Sequence, residues 1–288
     1  MLNYVGYLFY RLGEAIAVRM PMDRAYRLAA AIAGIYWIFH RRSRAILLTN
    51  LRQVLGPQAD EAKVRRTARE GFNQFAYGVV DFFRQPRLLD GELDQLVIST
   101  SGEEIVQEAL ATGRGGILMI AHMGPWEAGG TWIASRGVPM TAVALTHDSP
   151  HVEGFFTTRR ERAGFRSVPL GRAARELLRT VARGEMIALA ADRNFQESGT
   201  WVEFFGRQAL MPDGLVRIAL RTGAPIIPAF PLRTDDLRVR VLFERPILLQ
   251  QGQDDVPGSV RRCLEVIEQY IRRWPEQWMA FSRIWPEE

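Results

Sequence analysis

The sequence predicts an α/β fold: a mostly parallel central sheet with helices on both faces, preceded by an N-terminal helical segment. Residues 116–121 (GILMIA) and 186–191 (MIALAA) are short, continuous apolar runs, which are typical of strands buried on both faces of a parallel sheet. Such runs alternate with helical patterns along the chain, which is the order of βαβ units. The 288 residues are enough to bury a large core around this sheet.

The first 90 residues are predicted to be helical, because apolar residues recur at spacings of three and four with arginines at other positions. Pro21 is expected to begin one helix and Gly56 to end another. Asp60 is a suitable N-cap for the helix that follows. We expect residues 1–90 to pack, as an amphipathic helical segment, on an α/β core formed by residues 91–288.

From about residue 95 the pattern changes to alternating strands and helices. Helices are predicted at residues 103–111, 126–135, 155–163, 172–182, 215–221 and 260–273. Strands are predicted at residues 116–121, 140–145, 167–170, 186–191, 225–230 and 238–243. The last strand alternates apolar and polar residues, as an edge strand with one solvated face does. In open sheets of this kind, functional sites lie at the carboxyl ends of the strands.

The chain is basic, with a formal net charge of +5 and an isoelectric point of about 9.8, and Lys63 is its only lysine. This composition fits a GC-rich genome, and it equally fits an anionic partner such as phospholipid headgroups, an acidic carrier protein or nucleic acid. The arginines are spread over all segments, which argues against a nucleic-acid binder. The phosphate-binding pattern Gly-x-x-x-x-Gly-Lys is absent, which argues against a nucleotide-binding enzyme.

Cys263 is the only cysteine, so neither an intrachain disulfide nor a cysteine zinc site is expected. Its apolar helical surroundings indicate a buried structural thiol in a cytoplasmic protein. His147 and His151 share a polar loop, but the sequence offers no third ligand beside them. We therefore expect no metal site.

The N-terminal apolar stretches do not have the pattern of a signal peptide or of a spanning helix. The first 20 residues contain Arg11 and Glu14 and lack a small-residue cleavage site. The apolar run at residues 28–39 is too short to cross a bilayer of about 30 Å. Both stretches are expected to be helices that either lie in a membrane interface or pack in the core.

His122 follows the buried strand at residues 116–121, where open α/β sheets place their sites. Gly124 and Pro125 form a turn, and Glu127 falls in the first turn of the next helix. A five-residue spacing does not align two side chains on a regular helix, so we expect His122 before the helix and Glu127 pointing back to it. Glu127 would then accept a hydrogen bond from one imidazole nitrogen and fix the tautomer. A capping or core histidine is the alternative interpretation.

The pair of His122 and Glu127 is one of several blocks that occur in a fixed order over residues 40–285. The others are NLR at 50–52, RERAG at 160–164, ADRN at 191–194, VEFFGR at 202–207, MPDG at 211–214, ALRTGAPIIP at 219–228 and WPEQW at 274–278. In these blocks the chain resembles the lysophospholipid acyltransferase-like superfamily. The resemblance is to its branch of lipid A lauroyl/myristoyl and phosphatidylinositol mannoside acyltransferases.

The resemblance implies a membrane-associated O-acyltransferase that moves a fatty acyl group from a thioester, on acyl carrier protein or coenzyme A, to a hydroxyl of a glycolipid or lysophospholipid. Such a hydroxyl has too high a pKa to attack at neutral pH without a base. His122 would be that base and Glu127 would orient it, with no acyl-enzyme, cofactor or metal. The resemblance also implies peripheral attachment to the cytoplasmic face of the plasma (inner) membrane.

Four further residues are candidates for substrate binding. Arg160 and Arg193 would hold a phosphate of donor or acceptor, or the thioester oxyanion; a solvated arginine is equally compatible with either position. Asp192 would position Arg193 or His122, or cap a turn. Glu203 would shape the acceptor cleft, or it marks a packed strand end.

The chain departs from both branches of the family at these blocks. The lipid A enzymes usually have Asn at the position of Pro125 and often Asp-Gln at Asp192-Arg193. The mannoside enzymes usually have Asp at the position of Glu127 and Glu-Arg at the second block. Because the chain mixes the two patterns, the resemblance does not assign the acceptor. A non-catalytic lipid- or membrane-binding protein on an acyltransferase scaffold is the alternative function.

Overall fold

The computed structural model describes residues 2–286, and its N-terminal part is helical as predicted. The helices there are α1 (Leu2–Arg19), α2 (Met22–Phe39), α3 (Arg41–Leu55) and α4 (Glu61–Phe83). Pro21 is the N-cap of α2, and Gly56 ends α3 with a φ of +80°. The Asp60 carboxylate accepts a hydrogen bond from the N–H of Ala62 at 3.1 Å, at the start of α4. The predicted roles of Pro21, Gly56 and Asp60 are therefore confirmed.

The short helix α5 (Gln85–Arg87), a kinked turn (Leu88–Glu92) in which Gly91 has a φ of +112°, and α6 (Leu93–Leu96) lead into the α/β part. The later helices are α7 (Glu103–Ala111), α8 (Trp126–Ser135), α9 (Pro150–Arg162), α10 (Ala173–Ala182), α11 (Gly214–Thr222) and α12 (Val256–Arg273). The strands are β1 (Val97–Ser101), β2 (Gly116–Ile120), β3 (Met140–Ala144), β4 (Arg166–Pro169), β5 (Met186–Ala190), β6 (Thr200–Phe204), β7 (Arg207–Met211), β8 (Ile226–Arg233) and β9 (Val239–Phe243). Each helix and strand predicted from residue 103 onward is present, with shifted ends.

Seven strands form one sheet in the order β1-β9-β8-β2-β5-β3-β4. The five strands from β8 to β4 pair in parallel, whereas β9 pairs with β8 in the antiparallel sense. The mostly parallel sheet is thus confirmed. The interpretation of residues 238–243 as an edge strand is wrong, because β1 pairs with β9 and covers that edge. β1 itself gave no signal in the sequence, since Val97 is its only buried residue.

Alternate residues of β2 mark the two faces of the sheet. Ile117 and Met119 pack in one apolar cluster with α10, α11 and α12, whereas Leu118 packs in another with α7 and α8. A strand covered on both faces must be apolar at every position, which explains the unbroken apolar run. Helices on both faces of the sheet are therefore confirmed.

The strands β6 and β7 form a separate antiparallel hairpin that the sequence analysis did not predict. Phe205 and Gly206 join them with positive φ angles of 51° and 77°. Two consecutive positive φ values are the conformation of a tight type I′ hairpin turn. Phe204, Phe205 and Trp285 pack against one another here, so the hairpin closes over the end of the core.

Buried polar groups tie the N-terminal helices to the sheet. Asp81 of α4 forms an ion pair with Arg233 at the end of β8, and Tyr26 of α2 donates its hydroxyl hydrogen to the same carboxylate. All three side chains are buried. Arg84, which follows α4, donates to the carbonyl oxygen of Ala17 in α1 at 2.5 Å. The division of the chain into two parts near residue 90 stays a prediction.

Candidate active site

His122 and Asp192 meet at the carboxyl ends of two neighbouring strands. β2 and β5 pair in parallel with Ile120 opposite Ala190, so the residues two positions further along lie side by side. Nδ1 of His122 lies 2.8 Å from Oδ1 of Asp192. The Asp192 side chain is fully buried, whereas that of His122 is 18% exposed. The pair therefore has a buried carboxylate end and an accessible imidazole end.

The surroundings of Asp192 keep its carboxylate ionised. Burial by itself raises the pKa of Asp192, but the His122 imidazole, the Arg193 guanidinium and a hydrogen bond from Trp278 together lower it to about 2. That hydrogen bond runs from Nε1 of Trp278 to Oδ2 at 2.9 Å. An ionised carboxylate beside Nδ1 favours the tautomer that carries its proton on Nδ1. Nε2 of His122 is then the nitrogen that can accept a proton.

Aromatic rings flank the imidazole. The centroids of the Trp126 and Phe195 rings lie 5.6 and 5.8 Å from that of His122, both at steep interplanar angles. The Arg193 guanidinium lies 4.8 Å from the centroid of Phe195 and donates to the carbonyl oxygen of Met279 at 3.0 Å. Arg193 is therefore held between the C-terminal segment and the Phe195 ring, and its role in substrate binding stays a prediction.

The expected hydrogen bond between His122 and Glu127 is wrong. Glu127, in the first turn of α8, instead binds Arg160 from the last turn of α9: Oε1 accepts from Nη2 at 2.5 Å and Oε2 from Nε at 3.3 Å. Two physical reasons explain the correction. Asp192 of the neighbouring strand already occupies Nδ1 of the imidazole. The planar guanidinium fork also binds both oxygens of a carboxylate, which a neutral imidazole does not.

The remaining substrate-binding candidates fall in different places. Arg160 pairs with Glu127, and its guanidinium lies 5.7 Å from the centroid of the Phe156 ring. Glu203 is exposed on β6 between the buried residues Val202 and Phe204, so its side chain points away from the core. The structure therefore brings Asp192 to His122 and Arg160 to Glu127, and it leaves Glu203 on the hairpin surface.

The other histidines and the cysteine have structural surroundings. Nδ1 and the backbone N–H of His147 both lie 2.9 Å from Oε2 of Glu153, and the His147 ring stacks on Phe156. His151 packs against tyrosine rings of α1. Cys263 is buried, and burial raises the pKa of its thiol to about 12. Within residues 2–286, no group of three or more His, Cys, Asp or Glu side chains is arranged to hold a metal ion.

Main-chain contacts fix the turn that carries His122. The N–H of Met279 donates to the carbonyl oxygen of His122 at 2.8 Å, and the N–H of Gly124 donates to that of Gln277 at 2.9 Å. Gly124 has a φ of +59°, and a Cβ there would lie 1.9 Å from the carbonyl oxygen of Pro231. Only glycine combines this conformation with this close approach. The predicted turn is therefore confirmed, and a C-terminal segment supports it.

From the sequence, His122 was paired with Glu127, Asp192 was given the positioning of Arg193 or His122 as one possible role, and Trp278 had no assigned role. A signal for Asp192 was present: the apolar runs at residues 116–121 and 186–191 are each followed directly by a titratable residue. Adjacent parallel strands of equal register bring such residues together. Trp278 offered no comparable signal, because it lies 86 residues from Asp192 in a segment without periodicity.

The chain matches known proteins over almost its whole length. The family model of the bacterial lipid A biosynthesis acyltransferases matches residues 1–287. A phosphatidylinositol mannoside acyltransferase from Mycolicibacterium smegmatis is 28% identical over 96% of this chain and 90% of that protein. One from Mycobacterium tuberculosis is 30% identical over 74% of this chain and 68% of that protein. A lipid A biosynthesis acyltransferase from Haemophilus influenzae is 30% identical over 62% and 56%, respectively. The chain therefore belongs to the bacterial lipid A biosynthesis acyltransferase family and is an acyltransferase.

Proposed function

We propose that this acyltransferase moves a fatty acyl group from a thioester, on acyl carrier protein or coenzyme A, to a hydroxyl of a glycolipid or lysophospholipid. The observation that carries the proposal is the His122–Asp192 pair, a partly accessible imidazole whose Nδ1 lies 2.8 Å from a buried carboxylate. The family supports acyl transfer, and the relatives, which include phosphatidylinositol mannoside and lipid A biosynthesis acyltransferases, support a glycolipid acceptor.

In the proposed reaction, Nε2 of His122 takes the proton of the acceptor hydroxyl while the hydroxyl oxygen attacks the thioester carbonyl. Asp192 stabilises the imidazolium that forms. The tetrahedral intermediate then collapses, the carbon–sulfur bond breaks, and the imidazolium returns the proton to the leaving thiolate. The acyl group passes directly to the acceptor, so no acyl-enzyme is formed.

Glu127 and the arginines bind and orient substrate in this proposal. Glu127 holds the Arg160 guanidinium, and the charge of Arg193 acts on Asp192, the partner of His122. Guanidinium groups bind phosphate in a fixed geometry, so we assign Arg160 and Arg193 to phosphate groups of the acceptor or the donor. A role for Glu203 in the acceptor cleft stays a prediction.

The function is tested by incubating the purified protein with a radiolabelled acyl thioester and a bacterial lipid extract. Acyl carrier protein and coenzyme A serve as carriers in parallel arms. We expect label in one lipid class with at least one carrier. Binding to lipid vesicles without transfer from either carrier would favour the alternative, a non-catalytic lipid-binding protein. Mass spectrometry of lipids from a deletion strain would identify the acceptor by its missing acyl chain.

Replacing Glu127 by glutamine is expected to lower kcat/KM by about tenfold or more, because Arg160 loses a charged hydrogen-bond partner inside the site. Initial rates over a range of acceptor concentrations measure the change, and the loss should lie mainly in KM if Arg160 binds substrate. Glu185→Gln is the matched control, since that carboxylate pairs with Arg166 and Arg183 at the surface. Wild-type kinetics of Glu127→Gln would contradict the assignment.

We propose that the first two helices lie in the surface of the membrane, at the cytoplasmic face of the plasma (inner) membrane. Among the helices of residues 2–286, none is both long and apolar enough to cross a bilayer. Many large apolar side chains of α1 and α2 are nevertheless exposed, among them Leu8, Phe9, Leu12, Ile32, Ile35, Ile38 and Phe39. Exposed apolar area on this scale is typical of a surface that contacts a membrane or a partner.

The double variant Phe9→Ser with Phe39→Ser is expected to bind vesicles of phosphatidylglycerol and phosphatidylethanolamine at least roughly tenfold more weakly, because each buried Phe contributes about 1.5–3 kcal/mol. The two rings are 70% and 76% exposed in the free protein, so the substitutions should leave stability unchanged. Co-sedimentation measures the affinity. Trp201→Ser, which removes a 56% exposed ring from β6, is the control. Equal binding of wild type and double variant would exclude this surface.

A further inference from the structure

A C-terminal segment runs antiparallel to the turn that carries His122. Met123 and Trp278 form an isolated antiparallel bridge, flanked by the two main-chain hydrogen bonds that Met279 and Gly124 donate. These bonds fix the register of Trp278 relative to His122. The Trp278 side chain is fully buried, among the rings of Phe204, Phe205 and Trp285.

The Trp278 indole reaches from this segment to the carboxylate behind the imidazole. Its Nε1 lies 2.9 Å from Oδ2 of Asp192, while Nδ1 of His122 lies 2.8 Å from Oδ1. Each carboxylate oxygen therefore has its own donor, and the two donors together fix the plane of the carboxylate. A carboxylate held by His122 alone could rotate about its χ angles and carry the imidazole with it.

The charged groups around Asp192 do not provide this restraint. His122 and Arg193 are the titratable residues whose charges act on Asp192. The Arg193 guanidinium is directed to the carbonyl oxygen of Met279, at 3.0 Å. The indole N–H also neutralises part of the negative charge of Asp192, which tempers the attraction of that carboxylate for a proton on the imidazole.

We infer that Trp278 is a positioning residue of the active site, which acts on His122 through Asp192. The inference rests on the proposed role of His122 as general base. Trp278 itself is buried and does not touch substrate, so it sets the orientation of the base and the pH at which the base works.

Replacing Trp278 by phenylalanine tests this role, since it removes the N–H and keeps an aromatic ring. We expect kcat/KM to fall by about tenfold, the effect of losing one hydrogen bond to a charged group. We also expect the acidic limb of the kcat/KM pH profile to move to higher pH, because the carboxylate is less neutralised and stabilises the imidazolium more strongly.

Trp285→Phe is the matched control. That indole lies in the same aromatic cluster, but its Nε1 donates to the carbonyl oxygen of Phe204 at 3.0 Å. The Trp285→Phe variant should have a kcat/KM and a pH profile close to those of the wild type. If Trp278→Phe does not fold, 3-benzothienylalanine at position 278 keeps the bicyclic ring and replaces the N–H by sulfur.

A double-mutant cycle separates positioning from simple packing. In an Asp192→Asn background, Trp278→Phe should cause almost no further loss of kcat/KM, because the carboxylate through which it acts is gone. Losses that multiply, or an unshifted pH profile, would overturn the inference. A His122→Ala variant with full activity would instead show that the proposed base is wrong, which keeps the two failures distinct.

Discussion

Replacing His122 by alanine is expected to lower kcat for acyl transfer by about 10²–10⁴-fold, the usual contribution of a positioned general base. The acceptor hydroxyl then has no group to take its proton as it attacks the thioester. The fold should persist, because the imidazole is partly exposed and lies at the end of β2, outside the apolar clusters. Initial rates with a labelled thioester measure kcat, and thermal unfolding measures the stability of the variant.

His147→Ala is a matched control for this prediction. His147 also has its Nδ1 2.9 Å from a carboxylate oxygen, in Glu153, and is also partly exposed. Any histidine–carboxylate pair could contribute to stability, but the carboxylate partner of His147 is 29% exposed, whereas that of His122 is fully buried. We therefore expect near wild-type kcat for His147→Ala. A His122→Ala variant that folds and keeps more than about a tenth of the wild-type kcat would contradict a general-base role of this size.

The strands that build the site were predictable because a strand covered on both faces must be apolar throughout. This rule located β2 and β5, and with them the positions of His122 and Asp192 at strand ends. β1 was missed for the converse reason, since most of its residues are not buried and leave no pattern in the sequence.

The direction of individual side chains could not be predicted. The five-residue spacing between His122 and Glu127 crosses a turn, and spacing across a turn does not fix where a side chain points. Glu127 binds Arg160 instead, which is 33 residues away along the chain and comes within reach only in the folded protein. Contacts of this kind depend on tertiary structure, whereas sequence patterns report local periodicity.

The same limit applies to the groups that join the two parts of the chain. Tyr26, Asp81 and Arg233 come from α2, α4 and β8, and nothing in their local sequences indicates that they meet. Together they place a buried charge network between the apolar N-terminal helices and the sheet. We therefore expect this network to set the position of the N-terminal helices relative to the active site.

Replacing Asp81 by alanine is expected to lower the free energy of unfolding by about 3–5 kcal/mol, the cost of leaving one partner of a buried ion pair without its counter-charge. A guanidinium stays protonated, so Arg233 would be a buried charge whose remaining described hydrogen-bond partners, the Tyr26 hydroxyl and the carbonyl oxygen of Leu237, are neutral. Urea unfolding followed by circular dichroism measures the change.

Asp23→Ala is the control for Asp81→Ala, because Asp23 pairs with Arg27 on the exposed side of α2 and should change stability by less than about 0.5 kcal/mol. The triple variant Tyr26→Phe, Asp81→Leu, Arg233→Met replaces the whole network by apolar groups and should recover most of the loss, since no buried charge is then left without its counter-charge. If Asp81→Ala were as stable as Asp23→Ala, the ion pair could not be what holds α2 and α4 to β8. If the triple variant recovers the stability that Asp81→Ala loses, its rate of acyl transfer on vesicles can be compared with that of the wild type. A lower rate would show that the charges also set the orientation of the helices relative to the site.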